Sequence, residues 1–299
     1  MEIKDAIRVF TENLKIRGYS VNTLRSYAGA LEHFDTFLFE VEVAIIKDVD
    51  LEILRVYITK LVSLEVKKTT IHHRVSVLKA FFSFLHQNDY ISKNPSARLR
   101  YPKTEKKLPH ILSTEQMDKI LNLAMHDVEY AKMNNTKMYE TALRNYTLFE
   151  LLYSSGLRIF EAVSLNVDDL DFEENQLCVV GKGNKSRVVP FNGTARKALL
   201  ELVHQRNNSG ALFMHNKGAR LKVRDAYRII QKLAKSADID NVHPHMIRHT
   251  MATHMIDNSA DIRIVQEILG HSSIATTQKY IHVSSRRLQA VYLQAFPRA

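Results

Sequence analysis

One short stretch decides the fold class: Cys178-Val-Val-Gly-Lys-Gly-Asn-Lys-Ser-Arg-Val-Val-Pro190. The valines on both sides favour β-strands, and the glycines and the asparagine between them suit a hairpin turn. We predict one strand over Asp168–Val180 and a second over Ser186–Val189. Because this is the only confident sheet signal in the chain, the sequence predicts a mainly α-helical protein with a small β-hairpin or antiparallel sheet.

Apolar residues at helical spacing dominate on both sides of this hairpin. In the first part of the chain they predict helices over Ile3–Arg17, Asn22–Phe39, Leu51–Leu64 and Thr69–Asn88. A capping box at Ser113-Thr-Glu-Gln116 predicts the start of further helix, which continues to Ser155. Later helices are predicted over Thr194–His204, Lys222–Ala237, Pro244–Asn258, Ile262–Leu269 and Thr276–Tyr280.

A basic, proline-containing segment interrupts the helical pattern. It holds three prolines and, from Arg98 to Lys107, five lysines or arginines, which break helices and expose charge. We predict an all-α domain over residues 1–93, a linker over residues 94–110 and a second domain over residues 111–299. A basic linker could simply be exposed to solvent, or it could run along the phosphate backbone of a nucleic acid. Its charge fits both alternatives.

Composition limits the class of function. The 299 residues are 45% hydrophobic, which is enough for two domains with cores of their own. No apolar run approaches the roughly 20 residues that span a bilayer, and the start lacks a secretory signal. The sequence therefore predicts a cytoplasmic protein without a membrane partner. Cys178 is the only cysteine, which excludes an internal disulfide, and we expect it at a buried strand position.

The net charge of +10 indicates a polyanionic partner such as nucleic acid. Residues 1–107 hold 18 Lys and Arg against 13 Asp and Glu, and the remaining residues hold 24 against 19, so each part carries +5. Both predicted domains could therefore touch DNA. Salt should weaken such binding, because neutralised phosphates release their counterions.

Two arginines and a histidine have the chemistry to grip a phosphodiester. Arg158 lies in Gly-Leu-Arg-Ile-Phe-Glu and Arg248 in His-Met-Ile-Arg-His. Each guanidinium can bind two phosphate oxygens and stays charged at working pH. His245 precedes Arg248 by three residues, a spacing that places both side chains on one face of a helix. Glu161 follows Arg158 by three residues and could orient its guanidinium.

A tyrosine could supply the nucleophile. Tyr280 lies nine residues after His271, and a pocket of positive charge would favour the phenolate that such a nucleophile requires. Eleven other tyrosines, including Tyr27, Tyr153 and Tyr292, could be aromatic core or compete for this role. The cations and the phenol together suit attack on a phosphodiester.

Histidines are dense between residues 243 and 254, which raises the question of a metal site. The zinc-protease pattern has a glutamate directly after its first histidine, whereas this segment has Met246, and Arg248 would add a positive charge beside the metal. We therefore predict no metal and no cofactor. His249 and His254 are expected to pack helices or support the site, and His243 to lie in a loop.

Four motifs resemble those of the tyrosine site-specific recombinases, and within them the Xer-type recombinases. They are a first arginine box at residues 156–161, a hairpin at residues 180–190, a His-x-x-Arg box at residues 245–249, and Leu269-Gly-His271 with Thr276-Thr-Gln-Lys-Tyr280. The motifs stand in the family's order and approximate spacing, and the resemblance runs nearly end to end. Chance is therefore a poor explanation.

The resemblance implies roles that the residues alone do not fix. Tyr280 would be the nucleophile and form a 3′-phosphotyrosyl intermediate. Lys182, otherwise an ordinary turn lysine, would be the general acid. The scissile phosphate would be stabilised by Arg158, His245, Arg248 and His271. Glu161 and His249 would support these residues. DNA contacts would come from Lys185, Arg187, Lys279, Lys67 and Lys68.

The resemblance also implies an architecture and partners. We expect a two-domain DNA clamp, with a four-helix SAM-like core-binding domain and a catalytic domain. Its DNA would carry a short inverted repeat, bound by a homo-tetramer or by a hetero-tetramer with a paralogous recombinase. An activating protein is a further expected partner. The C-terminal helix, residues 284–299, would pass to a neighbouring protomer, although docking on its own chain is the alternative.

Several functions remain open at this stage. Resolution of chromosome or plasmid dimers through a Holliday junction is the favoured one, and a mobile-element integrase of the same family is the main alternative. A non-catalytic DNA-binding architectural protein, a type IB topoisomerase-like relaxase and a metal-dependent nuclease are the others. The occupied catalytic positions argue against the architectural protein, and the histidine pattern argues against the nuclease.

Overall fold

The computed structural model describes residues 1–101, 110–134, 138–180, 186–206, 210–215, 218–270 and 285–298. The chain forms two compact units, Met1–Lys107 and Leu108–Ala299. Within the described ranges, no helix combines the length and apolar character that crossing a membrane would require. The fold class predicted from the sequence, mainly α-helical with one small antiparallel sheet, is confirmed.

Residues 1–101 of the first unit form four helices, and all four were predicted. They are α1 (Ile3–Ile16), α2 (Val21–Glu40), α3 (Leu51–Ser63) and α4 (Lys68–Gln87), with a 3₁₀ turn at Ile46–Asp48. Ser20 caps α2 by accepting a hydrogen bond from the backbone N of Thr23. Asp50 caps α3 in the same way through the backbone N of Ile53. These caps satisfy backbone N–H groups that a helix start otherwise leaves unpaired.

An aromatic cluster fills the core of the first unit. The ring centroids of Phe81 and Phe82 lie 5.1 Å apart, and those of Phe10 and Phe81 lie 5.4 Å apart. Phe34 packs edge-on against Tyr57 at 5.0 Å. Since offset and edge-to-face aromatic pairs add to the stabilisation from burial alone, this cluster holds helices α1 to α4 together.

The second unit contains the remaining helices and the sheet. Its helices are α5 (Thr114–Met133), α6 (Tyr139–Ser155), α7 (Ile159–Ser164), α8 (Gly193–Arg206), α9 (Val223–Ser236), α10 (Pro244–Asp257), α11 (Ile262–Leu269) and α12 (Ser285–Ala295). The predicted capping box is confirmed, because Ser113 accepts from the backbone N of Gln116 and the Gln116 side chain accepts from the backbone N of Ser113. The predicted helix Thr276–Tyr280 lies outside the described residues.

Helix α6 runs through the centre of the second unit. Every residue from Tyr146 to Ser155 is buried, and α6 packs against α5, α8 and α10. It ends at Gly156, whose φ of +60° is left-handed. A Cβ at this position would lie 3.0 Å from Leu269 Cδ2 and 3.1 Å from Met251 Sδ, so a glycine fits best here. The end of α6 therefore meets α10 and α11 closely.

The sheet has three strands instead of the two predicted. The order is β1 (Leu170–Asp171), β2 (Gln176–Val180) and β3 (Ser186–Pro190), all antiparallel. The prediction of one strand over Asp168–Val180 is wrong, because the Asp171 carboxylate accepts from two backbone N–H groups and closes a turn. The predicted burial of Cys178 is also wrong. It lies on the exposed face of β2, and the buried residues on either side of it are Leu177 and Val179.

Helix α12 docks on its own domain in the single chain. Leu288, Tyr292 and Phe296 are buried in the core of the second unit. The Tyr292 hydroxyl donates to the backbone O of Ser154 at 2.8 Å. Arg298 follows the helix and pairs with Asp118 at 2.6 Å. The expected exchange of this helix with a neighbouring protomer stays a prediction.

Candidate active site

Arg158 lies at the start of the short helix α7. Glu161, one turn further along, accepts a hydrogen bond from the backbone N of Arg158 at 2.8 Å and from its Nη1 at 2.9 Å. One carboxylate therefore caps the helix and holds the guanidinium. The Arg158 side chain keeps 39% of its surface exposed. Within the described part of the chain, its Nε and Nη2 have no hydrogen-bond partner, which leaves donors for a ligand.

Arg187 on β3 grips the same carboxylate from the other side. Its Nη1 donates to Glu161 Oε1 and its Nη2 to Glu161 Oε2, both at 2.9 Å. Its Nε donates to the backbone O of Ile268, at the end of α11, at 3.1 Å. The resemblance to the tyrosine recombinases implied a contact of Arg187 with backbone phosphate. The structure turns it inward instead, because a buried carboxylate requires a partner, and only 15% of the Arg187 side chain is exposed.

The two guanidinium groups keep Glu161 ionised. Burial by itself raises the pKa of this carboxyl, but hydrogen bonds from Arg187 and Arg158 and the charge of Arg187 outweigh it and lower the pKa to about 2. Hydrogen bonds to the charged form of a carboxyl lower its pKa. Glu161 is therefore a carboxylate at every working pH, and it can hold Arg158 permanently.

Arg248 is buried and caps two helices at once. Its Nη1 donates to the backbone O of Gly156, after α6, at 2.6 Å, and its Nη2 donates to the backbone O of Leu269, in α11, at 2.5 Å. The last carbonyls of a helix lack intrahelical partners and carry the negative end of its dipole. The buried Arg248 guanidinium donates hydrogen bonds to these carbonyls, and its positive charge offsets the negative end of the dipole. The Arg248 side chain therefore links the end of α6 to the end of α11.

Arg158 lies close enough to Arg248 for its charge to change the pKa of Arg248. Burial lowers the pKa of Arg248 and the positive charge of Arg158 lowers it further, to about 10, although the charge of Glu161 opposes this. Arg248 is still charged at neutral pH. A buried cation whose pKa is lowered by a neighbouring cation is the arrangement expected where an anion binds.

The histidines around Arg248 divide into separate roles. His245 and His249 are exposed on α10, and the described part of the chain shows no side-chain hydrogen bond for either. The supporting role of His249 stays a prediction. His243 lies in the loop directly before α10, as expected, and caps that helix, since its Nδ1 accepts from the backbone N of Met246 at 3.1 Å. His254 packs helices as predicted, with Nδ1 2.8 Å from the Tyr153 hydroxyl.

Helix α11 ends at the site and leads into His271. Its cap, Gly270, has a φ of +63°, and a Cβ there would lie 2.8 Å from both Cδ and Nε of Arg187. Gly270, the residue before His271, therefore packs directly against the Arg187 side chain. Several predicted site residues lie outside the described residues, and their placement stays a prediction: Lys182, Lys185, His271, Lys279 and Tyr280.

The structure thus gathers three of the predicted residues, Arg158, Glu161 and Arg248, and adds Arg187 to them. Lys67 and Lys68 lie at the start of α4 in the first unit, where both are exposed. No group of three His, Cys, Asp or Glu side chains suited to a metal occurs among the residues that the structure describes. The arrangement can bind an oxyanion, because it presents fixed guanidinium donors beside exposed imidazole.

Comparisons with known proteins assign both units. Residues 110–287 match the Phage integrase family, and residues 7–89 match the Phage integrase, N-terminal SAM-like domain. The chain is 32% identical to Tyrosine recombinase XerC of Bacillus subtilis (strain 168), over 99% of this chain and 98% of that protein. It is 34% identical to Tyrosine recombinase XerC of Staphylococcus aureus (strain MSSA476), over 97% and 96%.

Solved structures share the fold. A lambda integrase dimer bound to a COC′ core site has a TM-score of 0.72 at 17% identity, over 95% of this chain and 100% of that one. A Tn1549 transposon integrase in complex with transposon right-end DNA has a TM-score of 0.71 at 22% identity, over 97% and 98%. At these identities the likeness shows the helical, two-domain fold alone.

The family match and the near full-length relatives define the class, which is that of enzymes that break and rejoin DNA through a tyrosine. The chain belongs to the Phage integrase family and is a site-specific tyrosine recombinase. The family predicted from the four motifs is therefore confirmed. Arg187 is the residue that sequence reasoning placed differently, and no local signal could have shown its partner, which lies 26 residues away in sequence.

Proposed function

We propose that this recombinase cuts one DNA strand with Tyr280 and keeps the energy of the broken bond in a 3′-phosphotyrosyl link. The observation that carries the proposal is the pairing of Glu161 with Arg158, beside the buried Arg248, at the meeting point of α6, α7 and α11. Two of the competing tyrosines, Tyr153 and Tyr292, are fully buried in the core, which argues against either of them as the nucleophile.

In the proposed reaction, the Tyr280 phenol loses its proton to water, its oxygen attacks phosphorus, and the bond from phosphorus to the 5′ oxygen breaks. Lys182 gives its proton to that leaving oxygen. Negative charge grows on the phosphorane, where it is stabilised by Arg158, His245, Arg248 and His271. Donors that are fixed before the reaction stabilise this charge without a cost of reorganisation. The ion pairs of Glu161 supply that fixing for Arg158.

Rejoining would reverse these steps on another strand. A 5′ hydroxyl from the partner duplex attacks the phosphotyrosyl bond, Tyr280 leaves, and the DNA backbone is restored. The bond count is unchanged, so the reaction needs no nucleotide to supply energy, and we expect no metal or cofactor. We propose that one pair of strands is exchanged at a time, through a Holliday junction held in a tetramer on a short inverted repeat.

The biological role that we favour is resolution of chromosome or plasmid dimers in the cytoplasm. The near full-length similarity to XerC recombinases supports it. Integration of a mobile element is the second candidate, supported by the fold shared with the lambda and Tn1549 integrases. A paralogous recombinase and an activating protein are proposed partners in the first role. Exchange of α12 between protomers would couple assembly of the tetramer to cutting.

Covalent capture tests the proposed reaction. The full chain is incubated with fragmented genomic DNA in a chelator, denatured with detergent, and the DNA that stays attached is sequenced. We expect attachment at one short inverted repeat, complete loss of it in Tyr280→Phe, and retention in Tyr130→Phe. Tyr130 is a matched control because it is an exposed tyrosine on α5.

The outcomes separate the alternatives. Attachment that needs Tyr280 but is scattered without a sequence motif would favour a topoisomerase-like relaxase. Attachment that persists in Tyr280→Phe would refute the assigned nucleophile. Salt-sensitive DNA binding without any attachment would favour the non-catalytic architectural protein, or require a partner recombinase in the assay. Restored cutting upon addition of a divalent metal would favour a nuclease.

A further inference from the structure

We infer that Arg187 is a positioning residue for strand cleavage, which holds Glu161 and through it Arg158 in the orientation that meets the phosphate. The inference rests on the proposed role of Arg158. It concerns a residue that does not itself touch the reacting atoms, and it replaces the phosphate contact that the sequence suggested for Arg187.

The Glu161 carboxylate is saturated only when Arg187 is present. Each of its oxygens accepts two hydrogen bonds, one from Arg158 and one from Arg187: Oε1 from the two Nη1 atoms, and Oε2 from the Arg158 backbone N and Arg187 Nη2. Without Arg187, both oxygens have a free acceptor site. Glu161 can then form a bidentate ion pair with the Arg158 guanidinium, whose N–H donors are no longer available to the phosphate.

Arg187 also ties this carboxylate to the end of α11. Its Nε donates to the backbone O of Ile268, and Gly270 approaches it so closely that a Cβ there would overlap Cδ and Nε at 2.8 Å. The same helix end is bound by Arg248 through the backbone O of Leu269. One guanidinium therefore connects β3, the start of α7 and the end of α11. A lysine cannot replace it, because an ammonium lacks the planar fork.

Three cations face Glu161, each from a different element. They are Arg158 before α7, Arg187 from β3 and Arg248 from α10. Removing Arg187 removes the strongest hydrogen-bonding support, so burial then raises the pKa of Glu161 above its present value of about 2. As pH falls through that raised pKa, the carboxylate takes up a proton and releases Arg158. The native enzyme holds its carboxylate ionised across this range.

The test is single-turnover attachment to a synthetic duplex that carries the captured site. The variants are Arg187→Gln and, as a matched control, Arg220→Gln. Arg220 binds the opposite end of α7, through the backbone O atoms of Val163 and Leu165, and does not touch Glu161. For Arg187→Gln we expect the attachment rate at saturating DNA to fall about 10²-fold, the cost of a misplaced group, with an unchanged DNA dissociation constant. Arg220→Gln should keep the native rate.

The pH profile distinguishes positioning from a merely structural role. Arg187→Gln should gain an acid limb, in which the attachment rate falls further as pH decreases, whereas the native enzyme and Arg220→Gln should show none from this group. Adding Glu161→Gln to Arg187→Gln should remove that limb, because an amide does not titrate. The inference would be overturned if Arg187→Gln lost no more attachment rate than Arg220→Gln, or if its pH profile showed no acid limb.

A conservative variant covers the case in which Arg187→Gln does not fold. Arg187→Lys keeps the charge but not the fork, and its attachment rate should fall by about tenfold or more. A native rate in Arg187→Lys would overturn the inference. The failure of the proposed function looks different, because the native chain itself would then give no attachment, or Tyr280→Phe would retain it.

Discussion

The two units of the chain bury different kinds of side chain. In the first, the core is built from aromatic and aliphatic groups, and Ser96 is the one buried polar residue among those described. In the second, the core includes charged or ionisable groups as well: Arg144, Glu150, Glu161, Arg248 and His254. Buried charge opposes folding unless it is paired and hydrogen-bonded. Folding of the second unit therefore includes a free-energy penalty for burying charge that folding of the first does not.

Two of these buried groups bind at helix ends. Arg248 joins the ends of α6 and α11, and Glu161 joins the start of α7 to β3. In each case a charged group satisfies backbone or side-chain groups that would otherwise stay unpaired. The first unit is therefore organised for packing, whereas the second uses its buried charges to hold guanidinium groups in place, which we propose bind a phosphate.

The largest effect that would test this contrast is expected from Arg248→Met. The side chain keeps its apolar length, but the backbone O atoms of Gly156 and Leu269 lose their donors and the phosphate loses a cation. We expect covalent attachment to fall by about 10³-fold, as when a fixed oxyanion donor is removed. The measurement is the single-turnover rate at saturating DNA. Near-native cutting by this variant would mean that the buried charge serves stability alone.

A large but purely structural effect is expected from Phe82→Ala in the first unit. Phe82 is fully buried among Phe34 and Phe81, and truncation leaves a cavity. We expect the free energy of unfolding to fall by about 3 kcal/mol or more. The check is thermal unfolding of the full chain together with the attachment rate at saturating DNA and low temperature. A rate that fell as far as in Arg248→Met would break the contrast between the units.

The smallest effect compares one helix cap from each unit. Asp50→Ala removes the cap of α3 and Ser113→Ala removes the capping box of α5. Both caps are local and exposed, so each loss should cost about 1 kcal/mol of unfolding free energy, irrespective of the unit. Chemical denaturation of the two variants measures this. A clearly larger loss for Ser113→Ala would show that the polar network of the second unit extends to α5.

Local patterns explain what the sequence predicted well. The helices of the first unit begin and end within one residue of the prediction, because their apolar spacing and their caps lie within a few residues of each other. The same holds for the capping box at Ser113, and for Glu161 as the partner of Arg158, which is one turn away. Motif order identified the family. None of these inferences needed a contact between distant segments.

Distant contacts explain most of the failures. The exposure of Cys178 depends on which face of β2 meets the helices, and valine-rich sequence is compatible with either face. The turn closed by Asp171 is the exception, because its carboxylate accepts from the backbone N of Glu173 and Glu174, which are its near neighbours in sequence. The inward turn of Arg187 depends on Glu161 and on the end of α11. A basic residue near a hairpin tip has the same local pattern in both settings, so sequence alone suggested a phosphate contact.

By itself, the sequence determined the helices, the small sheet, the class of chemistry and the cations Arg158 and Arg248. Only the tertiary structure decided how those cations are held. Helical and strand periodicity are properties of neighbouring residues, and they follow from backbone geometry. The pairing of Glu161 with Arg187, and of Arg248 with the ends of α6 and α11, forms only when packing brings separate segments together.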